Sequence, residues 1–157
     1  MTTSNTGALI RATLTAGLIA GALDITAAVV ENLKYPAQTI FQSVASGWLG
    51  SATYQGGWST AALGLVSHFG IMFVIAAIYM ILASRVDLLR RQWIAAGVVW
   101  GCAVWVAMTY VVVPLSQATL HAPTMESAIK GILTHVLMVG LPMAFIARRM
   151  LGAPARA

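Results

Sequence analysis

Residues 59–84 constrain this chain more than any other stretch. They run 26 residues without Asp, Glu, Lys or Arg and contain a single histidine, His68. At about 1.5 Å per helical residue, such a run crosses the ~30 Å hydrocarbon core of a bilayer, and it is too apolar to be stable in water. Near its start stands the pentapeptide Gly64-Leu65-Val66-Ser67-His68. A near-copy, Gly131-Ile132-Leu133-Thr134-His135, sits in the last apolar stretch.

The rest of the chain agrees with a lipid solvent. Of its 157 residues, 59% are hydrophobic and only 8% are charged, against about 25% in soluble domains. The net charge of +5 does not point to nucleic acid. The basic residues gather at the ends of apolar runs, where anionic lipid headgroups are the natural partner. The lone Cys102 gives no intrachain disulfide and no thiolate metal cluster.

Apolar runs cover residues 12–30, 59–84, 92–115 and 126–147, so the expected fold is an all-α, single-domain bundle of four membrane-spanning helices. Cleavage as a leader after Ala20-Gly21-Ala22 is the rival reading of the first run. Pro114 should stop the third helix, and Pro142 should kink the fourth.

Residues 36–49 form a further, short amphipathic helix. Ile40, Phe41, Val44, Ala45 and Trp48 share one face, with Gln38, Gln42 and Ser46 opposite. This pattern suits a helix lying in the membrane interface. Tyr35, Trp48, Tyr54 and Trp58 would form an aromatic belt around it.

With both termini on one side, Arg11, Arg85, Arg90, Arg91, Arg148, Arg149 and Arg156 share that side, and only Lys34 and Lys130 lie opposite. The positive-inside rule therefore predicts a multi-pass membrane protein with both termini cytoplasmic.

The two halves resemble each other. Gly17-Leu18-Ile19-Ala20-Gly21 in the first run matches Gly97-Val98-Val99-Trp100-Gly101 in the third, and the two Gly-x-x-Ser/Thr-His pentapeptides match in the second and fourth. A two-helix unit used twice, both copies entering from the same side, explains this order. Gly17, Gly21, Gly64, Gly97, Gly101 and Gly131 are then helix-packing positions, closed within the chain or serving as the seam of a homo-oligomer.

Helical spacing places His68 and His135 each nine residues from an outer helix end, about 13 Å deep, with Asp24 in the same layer. Ionisable side chains at such depth are functional candidates. A proton- or ion-responsive site is the leading specific role, and a scaffold or interaction subunit is the runner-up. Binding of haem or a metal through the two histidines, with Asp24 as a carboxylate ligand, is a third reading. A structural role also fits, since a neutral His can bond to Asp24, Ser67, Thr134 or a backbone carbonyl. No Gly-x-Ser-x-Gly, phosphate loop or His-Glu-x-x-His occurs, so no enzymatic activity and no cofactor is expected. His121 reads as a solvated loop residue.

The early Gly-Leu-Ile-Ala-Gly, His68-Phe69 with Phe73 and Tyr79, the proline ending the third run, and Glu126, Gly131, His135 and Arg148-Arg149 together resemble the YagU-like group of small bacterial inner-membrane proteins. That resemblance implies an inner-membrane bundle linked to acid tolerance. It carries over no catalytic residues, and the longer Gly/Ser/Trp-rich first loop departs from the pattern.

Overall fold

A computed structural model describes residues 3–118 and 123–152; His121 and Arg156 lie outside the described residues. The described residues are helical and include no strand. Helix α1 covers Thr3–Glu31, α2 Ala37–Leu49, α3 Gly57–Arg85, α4 Asp87–Arg91 and α5 Trp93–Ala107. A 3-10 segment at Gly50–Gln55 joins α2 to α3, and a π-helical turn at Met108–Val112 extends α5. The last rod consists of α6 (Met125–Thr134), a π-helical turn (His135–Gly140) and α7 (Leu141–Met150).

Four helical segments are long and apolar enough to cross a membrane: Thr6–Glu31, Gly57–Arg85, Trp93–Val112 and Met125–Met150. Many of their large side chains point outward. Leu14, Leu18, Val66, Val74, Val99 and Leu133 are all exposed. The buried positions are often small, as lipid-embedded packing requires, because close backbone approach replaces the hydrophobic drive available in water. Ala12, Ala16 and Ala20, four residues apart on α1, have no exposed surface. They pack in one core with Met72, Ala76, Tyr79 and Met80 of α3 and with Val139, Met143 and Ala144 of the last rod.

Glycines fix how the rods meet. A methyl group added at Gly17 would collide with the Phe73 ring, and one at Gly21 would lie 2.8 Å from the Phe69 ring. A phenyl ring therefore stands between α1 and α3. The other pair meets backbone to backbone. A methyl group at Gly97 would lie 3.0 Å from the Gly140 carbonyl oxygen, and one at Gly101 2.5 Å from Val136 Cα. Gly140 itself would collide with the Gly97 carbonyl if enlarged. Gly17, Gly21, Gly97 and Gly101 are thus buried against the chain's own helices.

Both π-helical turns have an evident cause. Met108–Val112 ends two residues before Pro114, and His135–Gly140 two residues before Pro142. A proline cannot donate to the carbonyl four residues back, and its ring crowds that carbonyl. Widening the preceding turn relieves the clash, and Val113 N accordingly bonds to Met108 O, five residues back, at 2.9 Å. The third rod therefore ends in a π turn, and at Pro142 the last rod continues as α7 behind a second one.

Helix α2 stands where the sequence predicts a short helix, but it lies alongside α3 rather than across it. Gln42 Nε2 donates to the Gly57 carbonyl at 3.0 Å and lies 3.0 Å from Thr60 Oγ1, while Trp48 Nε1 donates to Ser67 Oγ at 3.0 Å. Between these points Gly64 sits against the Phe41 carbonyl and the Ala45 backbone. The partners advance together, so the two helices run in the same direction. Gly50 and Gly57, with φ of 57° and 59°, bracket the 3-10 segment that returns the chain between them; an L side chain is strained in that conformation. Residues of both expected faces of α2 turn inward: Gln42 and Ser46 are buried together with Ala45, and Trp48 is exposed.

At the arginine-rich end, Arg90 is buried and donates to both the Ala83 carbonyl and the Asp87 carboxylate. It satisfies a carbonyl in the last turn of α3 and locks the turn into α4.

Candidate functional site

The three residues of the expected polar layer have different surroundings. His68 is buried, at 8% exposure, and its Nε2 lies 2.9 Å from the Gly21 carbonyl oxygen on α1. A carbonyl only accepts, so Nε2 carries the proton. Gly21 makes this contact possible, because the absence of a side chain opens its backbone to α3. The Phe69 ring beside it packs edge-on against the imidazole, with centroids 5.4 Å apart.

His135 occupies the matching position in the last rod but bonds within its own helix. Its Nδ1 donates to the Gly131 carbonyl, one turn back, at 2.8 Å. The reason lies in the packing. A methyl group at Gly101 would be 2.8 Å from the His135 carbonyl oxygen, so the two backbones are already in contact. No ring fits between them, and the imidazole folds back.

Asp24 is half-buried, one helical turn from Gly21, and has no hydrogen-bond or ion-pair partner among the described residues. No hydrogen bond or ion pair joins any two of Asp24, His68 and His135 among the described residues. Nor, among them, do three or more His, Cys, Asp or Glu side chains group so as to hold a metal ion. The set of two histidines and one carboxylate suggested for a metal ion is therefore not drawn together.

Two inter-helix bonds were not expected from the sequence. Thr134, the residue before His135, donates to the Glu31 carboxylate at the end of α1. Ser67, the residue before His68, accepts from Trp48 of α2. In both pentapeptides the hydroxyl links to another helix, and the glycine receives a neighbour. At Gly64 that neighbour is the α2 backbone; at Gly131 it is the Trp105 indole, 2.5 Å from an added methyl group. Each pentapeptide thus serves as a contact site on its helix. The sequence shows that a hydroxyl precedes each histidine but gives no sign of its partner. Glu126 and Lys130 pair at 2.6 Å on the exposed surface of α6.

No protein-family model, curated protein or solved structure matches this chain.

Proposed function

We propose that this chain is a multi-pass inner-membrane protein that serves as a non-catalytic scaffold or interaction subunit, with both termini cytoplasmic. One observation carries the reading: His68, the most buried of the three candidates, bonds the α1 backbone at Gly21 and so joins two rods. An imidazole donating to a backbone carbonyl holds helices in register, and it needs no ligand to do so. The seven-to-two distribution of Arg and Lys supports the orientation.

The two-helix repeat is part of this proposal. Phe69 directly follows His68, as Val136 follows His135, and Phe73 and Gly140 lie five residues after their histidines. Gly21 faces Phe69 and Gly17 faces Phe73, while Gly101 faces Val136 and Gly97 faces Gly140. The same register in both halves supports one unit used twice. A homo-oligomer would have to use surfaces other than these glycines. The kinship with the YagU-like group rests on the motifs quoted above.

A second reading, a proton- or ion-responsive site, is favoured by Asp24, a half-buried carboxylate with no partner among the described residues. The two readings separate on stability profiles of the full-length chain in micelles between about pH 5 and 8. The scaffold reading expects Asp24→Asn and His68→Gln to follow the wild-type profile, and Gly17→Leu or Gly97→Leu to disrupt the fold. A pH dependence present in the wild type and lost in Asp24→Asn would favour the second reading instead.

A further inference from the structure

Between α3 and α5 lies a groove of about 640 Å³, within the range of specific ligand sites. Its walls are apolar: Ile71, Val74 and Ile78 on α3 face Val104 and Met108 on the other side. The concavity has a cause in the sequence. Gly70 on one wall and Ala103 and Ala107 on the other stand where larger residues would fill the gap, and a methyl group added at Gly70 meets nothing within 4 Å.

The groove has distinct ends. The 20 residues of Trp93–Val112 span about 30 Å, the thickness of the hydrocarbon core. The groove follows this rod from Val112 to Trp100, about 18 Å, slightly more than the depth of one leaflet. Its upper end, far from the arginines, is where Trp48 bonds Ser67, and Ser116 and Gln117 adjoin α2 there. Its floor is Trp100, packed on Tyr79 with ring centroids 5.2 Å apart. A slot with apolar walls and about the depth of one leaflet matches an acyl chain.

We infer that the α3/α5 slot binds one acyl chain of a phospholipid from the leaflet on the Trp48 side. The inference goes beyond the scaffold reading and rests only on the chain being embedded in a membrane. Gly70→Phe tests it, because Gly70 lines the slot and a Cβ added there meets nothing within 4 Å. Val66→Phe, on the exposed surface outside the slot, is the control, and Ala107→Phe blocks from the opposite wall should Gly70→Phe fail to fold.

The full-length chain is extracted from washed membranes, exchanged extensively into detergent, and assayed for phospholipid per protein chain. The wild type and Val66→Phe should each retain about one phospholipid, and the slot-filling variants should lose it. A wild type free of lipid, or a folded Gly70→Phe that retains as much as the wild type, would overturn the proposal. So would a wild-type dimer that Gly70→Phe converts to a monomer with lipid unchanged, since the occupant would then be a second copy of the chain. A chain released from membranes without detergent would instead refute the embedding itself.

Discussion

The Nε2 atom of His68 lies 2.9 Å from the carbonyl oxygen of Gly21, and this contact joins two helices through residues 47 apart in sequence. It depends on the spacing that the Phe69 and Phe73 rings impose between α1 and α3. Where backbones touch directly, at Gly101 and His135, the second histidine turns back to Gly131. Two similar pentapeptides therefore differ in role because their helices pack at different distances.

His68→Ala should remove this bond and leave a cavity beside Phe69, lowering stability by about 1–3 kcal/mol. His68→Gln, which retains an N–H donor, should lose less than about 1 kcal/mol. Reversible unfolding in mixed micelles measures both. Equal losses in the two variants would show that volume, and not the bond to Gly21, is what His68 contributes.

Glycine substitutions should separate sharply by position. Gly140→Ala and Gly64→Ala place a methyl group into a backbone carbonyl, of Gly97 and Phe41 respectively, and should each cost about 1–3 kcal/mol or shift a helix. Gly70→Ala meets open space and, being mid-helix, should be neutral or stabilising by up to about 1 kcal/mol. Thermal melts of the three variants under one detergent condition would test the order.

The four rods were legible because a lipid solvent demands long uncharged runs, and the 26 residues from 59 to 84 admit few other readings. Among the small residues at helix contacts, Gly140 and the Ala12, Ala16, Ala20 stripe were not singled out. Glycine and alanine are common in apolar helices, and only the neighbour decides which of them is a contact. The direction of α2 was hidden as well. Its pattern gives two faces but not which one meets protein, and Gln42 turns inward because the 3-10 segment and α3 offer it three acceptors. A common depth for Asp24, His68 and His135 follows from counting residues; whether they meet depends on helix rotation and spacing, which residue counts do not contain.

Gln42 fastens α2 through a buried amide that reaches the Thr53 and Gly57 carbonyls and the Thr60 hydroxyl. Gln42→Leu should leave those acceptors without this donor and cost about 1–3 kcal/mol. The effect should be local. Limited proteolysis should cut between α2 and α3 faster in the variant, while the four rods keep their helical circular dichroism. Unchanged cleavage there would mean that Gly64 packing alone holds α2.

Tyr79 makes the opposite case. Its ring is almost fully buried against Trp100, yet its hydroxyl, like the Trp100 indole N–H, has no hydrogen-bond partner among the described residues. A buried polar group without a partner costs free energy, whereas an apolar atom in the same space does not. Tyr79→Phe keeps the ring stacking and removes only the oxygen, so stability should be unchanged or rise by about 1 kcal/mol. A loss of more than about 1 kcal/mol in micelles would mean that the hydroxyl has an acceptor in the folded protein, most simply a buried water between Tyr79 and Trp100. Trp100→Phe would then show a matching loss, because the same water would lose its second donor.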